Sequence, residues 1–125
     1  MSFDSIVVAT DFEETARAAL DWAILLAQSL QARVLVAHVY DLPLAGLPDA
    51  ALMVSAKTAA RMSNEAQSAL DAEVARVRDH GVPVEGMLRQ GDPREVIPLI
   101  AASAQAALIV VGSQGRRGLL RGLLG

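Results

Sequence analysis

The sequence contains no cysteine, which excludes thiol catalysis, thiolate-bound zinc and a disulfide framework. No apolar run approaches the roughly 20 residues that a membrane-spanning helix needs. Asp4 and Asp11 surround the first apolar run, which argues against a signal peptide. A formal net charge of −3 disfavours general nucleic-acid binding, because such proteins usually need a basic face. We therefore expect a cytoplasmic protein whose partners include neither nucleic acid nor membrane.

The chain can bury one hydrophobic core, since it has 125 residues of which 53% are apolar. We expect a single domain over residues 1–125. Short β-branched runs predict three strands that are buried on both faces, and a looser alternation predicts a half-exposed strand at a sheet edge. The buried strands are Ser5–Thr10, Arg33–Val39 and Ala107–Val111, and the edge strand is Val84–Arg89.

Between these strands, apolar residues recur at helical spacing over residues 12–31 and 49–80. A third helix is predicted to begin after Asp92 and to run to about Ala104, because Asp92 has the place of an N-cap and Pro93 that of the first helical position. The apolar stripe of the second helix comprises Met62, Ala66, Leu70, Val74 and Val77.

Some residues in these elements have more than one interpretation. Asp11 is followed three residues later by Glu14, which resembles a capping box. Asp11 could therefore be a helix cap, a ligand contact or both. His38 lies inside an apolar strand, and we interpret it as a satisfied core residue. Pro98 predicts a bend in the third helix.

The alternation of strands and helices predicts an α/β fold, because such strands pair in parallel through right-handed crossovers. We expect a three-layer α/β/α, doubly wound parallel sheet. With the half-exposed strand at one edge, the strand order is 3-2-1-4 in chain numbering. The order reverses between strands 1 and 4, and such a reversal opens a crevice at the carboxyl ends of the strands. Asp11 and Gly112 are the residues there.

The last 14 residues contain five of the nine glycines, together with Arg116, Arg117 and Arg121. Glycine lets successive backbone N–H groups turn toward a phosphate, and arginine adds positive charge. Glycine richness alone would favour a flexible surface loop. The position beside the crevice, opposite Asp11, supports a phosphate cradle instead. No GxxxxGK[ST] pattern is present and no GxGxxG follows the first strand, so P-loop hydrolysis and Rossmann dinucleotide binding are poor fits.

Four segments resemble successive signatures of the universal stress protein family. They are Val8–Phe12, Ala37–Asp41, Gly91–Pro93 and Ile109–Gly115. The resemblance covers essentially the whole chain. Its most specific part is the family's ATP-binding pattern of a glycine, two residues, a glycine, nine residues, a glycine and then Ser or Thr.

Three glycines of the chain have the spacing of that pattern, and the printed sequence ends before its Ser or Thr. The resemblance implies ATP as the ligand, accompanied by Mg²⁺. It implies that Asp11 contacts the adenosine with the backbone of the two residues before it, that Val39 faces the adenine, and that the glycines hold ribose and phosphates. The binding residues that we expect are Ala9, Thr10, Asp11, Val39, Val111, Gly112, Gly115, Arg116 and Gly125.

The resemblance leads to the hypothesis of a stress-response regulatory domain that binds ATP, and two alternatives stay open. One is a nucleotide-free module that acts by dimerising. The other is a slow ATPase or phosphotransferase, although no general base stands out and we do not expect an enzyme. Family members continue with a helix and a fifth strand that commonly pairs in a homodimer. The resemblance implies that both elements are absent from the printed sequence.

Overall fold

The structure is a computed structural model that describes residues 5–41 and 49–112, with only the backbone described over residues 49–55. Strands and helices alternate in the predicted order. The strands are β1 (Ser5–Ala9), β2 (Arg33–Tyr40), β3 (Val84–Gln90) and β4 (Leu108–Val110), and the helices are α1 (Glu14–Leu30), α2 (Asp49–Asp79) and α3 (Pro93–Ser103).

The four strands form one parallel sheet in the order β3-β2-β1-β4. This confirms the predicted three-layer α/β fold and its strand order. The prediction that the last strand is buried on both faces is wrong, because β4 lies at an edge of the sheet, where Leu108 and Ile109 are 38% and 40% exposed. The pairing of β1 with β2 ends where Ala9 lies opposite Ala37. The pairing of β2 with β3 continues as far as Tyr40. Because all strands run in the same direction, their carboxyl ends meet at one edge of the sheet, and β2 and β3 extend beyond β1 there.

Each face of the sheet packs against helices over its own apolar cluster, α1 and α2 on one face and α3 on the other. Alternate residues of a strand point to opposite faces, so the continuous apolar runs of β1 and β2 supply both clusters. On the α1 and α2 face the strands contribute Ile6, Val8, Val34 and Val36, and on the α3 face they contribute Val7, Ala9, Leu35, Ala37 and Val39.

A buried carboxylate joins α1 to α2. Glu73 is 6% exposed and contacts two guanidinium groups, with Arg76 Nη2 at 3.2 Å and Arg17 Nε at 3.7 Å. Arg76 also pairs with Asp21 of α1. Because the guanidinium partners of Glu73 are partly exposed, the network adds a modest stabilisation to the packing of α2 beside α1.

The apolar stripe predicted for α2 reaches the core only in its second half. Leu70, Val74 and Val77 are buried, whereas Met62 is 44% exposed. The reason is length: α2 has 31 residues, roughly 46 Å of helix, and β3 beside it has 7, roughly 23 Å of strand. Across residues 5–41 and 49–112, we find no helix with the length and apolar character to cross a lipid bilayer.

Candidate functional site

A cleft of about 590 Å³ opens at the carboxyl edge of the sheet. It lies between the turn that joins β1 to α1, the end of β2, one turn of α2 and the start of α3. A volume of this size is typical of small-molecule sites, which combine apolar walls with a few polar groups. The carboxyl edge is also where open α/β sheets bind ligands. These features make the cleft the candidate site.

The structure brings four of the nine predicted binding residues together in the cleft, Ala9, Thr10, Asp11 and Val39. Two others lie at the end of β4 and do not line it: Val111 packs in the cluster under α3, and Gly112 lies against α1. The remaining three, Gly115, Arg116 and Gly125, lie outside the described residues.

The described cleft lies one strand away from the crevice predicted between strands 1 and 4. Gly112 approaches the first turn of α1 so closely that a Cβ atom there would lie 2.8 Å from the carbonyl carbon of Thr15 and 3.0 Å from the nitrogen of Ala16. This contact brings the end of β4 against α1, while the space over the ends of β1 and β2 stays open. Glycine at position 112 is required by this packing, independently of any ligand.

The turn between β1 and α1 presents Asp11 to the cleft. Thr10 is buried; its N–H donates to the carbonyl of Ala37 at 2.9 Å, and its Oγ1 accepts the N–H of Phe12 at 3.0 Å. Phe12 has a left-handed backbone with φ of +64°. Asp11 Oδ1 accepts the N–H of Glu13 at 2.9 Å. The residues on both sides of Asp11 are thus held by hydrogen bonds.

The predicted capping box of Asp11 and Glu14 is wrong. The N-cap is Glu13, whose side chain makes no capping hydrogen bond, and Glu14 is the first helical residue. The left-handed conformation of Phe12 causes the difference, because it turns the chain once more before the helix begins. Asp11 therefore lies two residues before the cap, at the wall of the cleft.

The backbone of Val39 offers a donor and an acceptor where β1 has ended. In a parallel sheet, the N–H and C=O of one residue point to the same neighbouring strand, and alternate residues point to the same side. The carbonyl of Ala37 accepts a hydrogen bond from the N–H of Thr10, so the backbone N–H and C=O of Val39 also point toward the β1 side of β2. Since β1 stops pairing at Ala9, the N–H and C=O of Val39 lie beyond its end and beside the cleft.

The start of α3 has the capping that the sequence predicts. Asp92 is the N-cap, its Oδ1 accepts the N–H of Arg94 at 3.0 Å, and Pro93 follows at the start of the helix. The Arg94 guanidinium bonds the same carboxylate, with Nη2 2.8 Å from Oδ2. These hydrogen bonds from Arg94 lower the pKa of Asp92. Pro98 lies on the exposed side of α3, which continues past it to Ser103.

The charges along the cleft set its chemistry. Asp11, Asp41 and Asp92 line it together with Arg94, and the Asp92 charge is already paired with that of Arg94. The carboxylates of Asp11 and Asp41 accept hydrogen bonds and so suit hydroxyl and amino groups, whereas a phosphate beside them would meet like charge. This part of the site is suited to the neutral end of a ligand.

Sequence reasoning missed the aromatic wall of the cleft. His38 and Tyr40 line it, and their rings are roughly parallel with centroids 6.2 Å apart. The ring of Phe12 lies 4.3 Å from that of His38. His38, interpreted as a core residue, is half-buried and has a partner, with its Nδ1 2.7 Å from the carbonyl oxygen of Thr10. The two-residue spacing of His38 and Tyr40 near the end of β2 is the signal that could have found them.

A second groove, of about 420 Å³, runs between α3 and β3. Arg33 and Arg89 lie along it, and Leu99, which also lines it, is 65% exposed. We name it the α3–β3 groove. Its lining includes none of the predicted binding residues. In the part of the chain that the structure describes, we find no group of three or more His, Cys, Asp and Glu residues placed to hold a metal ion.

Known proteins match the chain in sequence and in fold. The profile of the universal stress protein family matches residues 2–125. A universal stress protein of Methanocaldococcus jannaschii is 31% identical over 124 residues, which are 98% of this chain and 72% of the relative. A solved structure of a universal stress protein family member from Burkholderia pseudomallei is 30% identical, with a TM-score of 0.71, and the match covers 97% of this chain and 90% of that one.

One solved relative carries a nucleotide. It is the universal stress protein from Archaeoglobus fulgidus in complex with dAMP, which is 26% identical with a TM-score of 0.71, covering 99% of this chain and 91% of that one. The chain resembles these relatives in sequence, fold and strand order over nearly its whole length. The chain belongs to the universal stress protein family.

Proposed function

We propose that this chain is a regulatory domain of the cytoplasm that binds an adenine nucleotide, ATP, in the cleft at the carboxyl edge of its sheet. One observation carries the proposal: the N–H and C=O of Val39 lie beyond the end of β1, beside the carboxylate of Asp11. A strand donor and acceptor next to a carboxylate match the hydrogen-bonding groups of a purine nucleoside.

The Val39 backbone favours adenine over guanine. Along its Watson–Crick edge adenine has a donor, the 6-amino group, next to an acceptor, N1, and these complement a backbone C=O and N–H side by side. Guanine has an acceptor, O6, next to a donor, N1–H, which reverses the pattern. The mismatch leaves buried polar groups unpaired, and such groups are the basis of strong discrimination.

We assign Asp11 to the sugar. A carboxylate accepts two hydrogen bonds from neighbouring hydroxyls, which is how acidic residues at strand ends hold ribose. The phosphates would extend away from Asp11 and Asp41, because like charges repel. The glycines and arginines after Gly112 are the groups to which we assign them, and Mg²⁺ would accompany ATP there. The dAMP bound by the Archaeoglobus fulgidus relative supports an adenine ligand.

A thermal-shift measurement tests the proposal. A ligand at 100 times its Kd stabilises a protein by about 2.7 kcal/mol, which raises the Tm by several degrees. We expect this rise with ATP and Mg²⁺ and none with GTP and Mg²⁺ at the same concentration. Mg²⁺ alone is the control. Equal shifts with both nucleotides, or no shift with ATP, would contradict the proposal.

A further inference from the structure

His38 forms a contact that nucleotide recognition by Val39 and Asp11 does not explain. The side chain is half-buried near the end of β2, and its Nδ1 lies 2.7 Å from the carbonyl oxygen of Thr10. A carbonyl oxygen only accepts hydrogen bonds, so Nδ1 carries the hydrogen and donates it. The imidazole is therefore bonded to the backbone of the turn between β1 and α1.

This turn needs support because its backbone is unusual. Phe12 has φ of +64°, a left-handed conformation that bulky residues rarely adopt and that persists only where the surroundings enforce it. The ring of Phe12 contacts the ring of His38, with centroids 4.3 Å apart. His38 thus bonds the residue before Asp11 through the Thr10 carbonyl and contacts the residue after it through the Phe12 ring.

We infer that His38 is a positioning residue for nucleotide binding: it fixes Thr10 and Phe12 and so holds the Asp11 carboxylate at the cleft. The inference rests on the proposed function, in which Asp11 contacts the ribose. It adds a requirement that the proposed function does not contain, a hydrogen-bond donor at position 38. The aromatic ring alone does not meet this requirement.

Two substitutions at position 38 separate the donor from the rest of the side chain. Leu in His38→Leu keeps apolar bulk and removes the donor. Asn in His38→Asn keeps a donor, because its Nδ2 is as many bonds from the backbone as imidazole Nδ1. The matched control is His80→Leu, since His80 Nδ1 also lies near a backbone carbonyl, that of Arg76, at 2.8 Å. His80 follows α2 at the opposite edge of the sheet.

The first readout is the Kd for ATP with Mg²⁺ by titration calorimetry, with the Tm of each nucleotide-free variant measured in parallel. We expect His38→Leu to weaken binding by about tenfold, because a turn that has lost this hydrogen bond is held less firmly and must be ordered when the nucleotide binds. His38→Asn should stay within about threefold of the wild type. His80→Leu should leave the Kd unchanged. A role in stability alone predicts a lower Tm for His38→Leu with an unchanged Kd, so that there is no affinity for Asn to restore.

The second readout does not depend on a nucleotide. Nitrogen-15 NMR of the neutral imidazoles should show His38 as the Nδ1–H tautomer. An Nε2–H tautomer, or wild-type affinity in His38→Leu, would overturn the inference while leaving the proposed function intact. A wild-type chain that binds no adenine nucleotide would overturn the proposed function and, with it, the binding role of His38.

Discussion

Of the helices that begin at the carboxyl edge of the sheet, α1 and α3 begin in different ways. The start of α3 follows the local rules, with Asp92 as a bonded N-cap and Pro93 after it. The start of α1 breaks them, with a left-handed Phe12 and an N-cap, Glu13, that makes no side-chain bond. Folded proteins depart from local rules mainly at functional or strained sites. Both starts line the cleft, and we infer from the contrast that the start of α3 mainly stabilises the fold, whereas the start of α1 mainly shapes the cleft.

The start of α1 has a second irregularity, which the start of α3 does not share. Thr15 Oγ1 is buried, and we find no hydrogen-bond partner for it in the structure as described. Gly112 packs directly on the backbone of this residue. The first turn of α1 is thus held by close packing from the end of β4, whereas the first turn of α3 is held by its cap and by Arg94.

The largest change in stability should come from disturbing the close packing of Gly112 against α1. Gly112→Ala adds a Cβ 2.8 Å from the carbonyl carbon of Thr15, and backbone atoms cannot move aside as side chains do. We expect a loss of about 1–3 kcal/mol in the free energy of unfolding, measured by denaturant titration.

Gly86→Ala is the matched control for that substitution. Its Cβ would also have a neighbour at 2.8 Å, but that neighbour is Cγ2 of the Val74 side chain, which can rotate or shift. The cost should be smaller than for Gly112→Ala. A Gly112→Ala variant as stable as the wild type would show that Gly112 is not in tight contact with α1.

The strands and their order could be predicted because buried parallel strands leave a strong signal. β1 and β2 are covered on both faces, so their apolar runs are uninterrupted, and the weaker alternation of β3 indicates an edge. The start of α3 could be predicted for a similar reason. Asp92 and Pro93 are residues whose local chemistry fixes a helix start without help from the rest of the fold.

The cleft could be predicted only in part, because it depends on contacts between residues that are far apart in the sequence. Nothing local marks Phe12 for a left-handed conformation, so the helix start was placed two residues too early. The positions of His38 and Tyr40 in the cleft follow from β2 extending past β1, which is a matter of register. Met62 reaches the cleft because α2 is longer than the sheet. The period of a sequence pattern indicates whether a segment is a helix or a strand, but not how far it extends past its neighbours in the fold.

The second largest effect concerns Asp11. Asp11→Asn keeps the oxygen that accepts the N–H of Glu13 and removes the charge that we assign to the ribose. We expect the Kd for ATP to rise by about tenfold or more, as for a lost charge-assisted hydrogen bond. The Tm without nucleotide should change little. A large fall in that Tm with unchanged affinity would reverse the roles assigned to the two helix starts.

A smaller effect is expected at the other helix start. Asp92→Ala removes the N-cap and the partner of Arg94, so the Tm should fall by a few degrees while the Kd for ATP changes less than in Asp11→Asn.

The Tm difference between the wild type and Asp92→Ala should change with pH in one direction. The hydrogen bonds from Arg94 lower the pKa of Asp92 in the folded chain from its ordinary value of 3.8. A carboxylate with a lowered pKa stabilises the fold above its ordinary pKa, and this stabilisation is lost as the pH falls through the folded value. The Tm difference between the wild type and Asp92→Ala should therefore be constant near neutral pH and shrink below 3.8. A difference that grew on acidification would contradict the role of the Arg94 contact.

The smallest effect is a gain. Glu13 has the extended backbone of an N-cap without a capping bond, and serine there can accept from the first turn of α1. Glu13→Ser should raise the free energy of unfolding by about 0.5–1 kcal/mol in denaturant titration. The affinity for ATP should be unchanged, because the substitution lies beyond Asp11. A loss of affinity would show that the irregular start of α1 is itself needed for binding.

The most direct test is an NMR titration of the amide signals with adenosine, which lacks phosphates and therefore reports on the cleft alone. We expect the largest changes in chemical shift at the amides of Thr10, Asp11 and Val39, and only small changes at these amides with guanosine at the same concentration. Shifts confined to Arg33 and Arg89 of the α3–β3 groove, or the same response to both nucleosides, would contradict it.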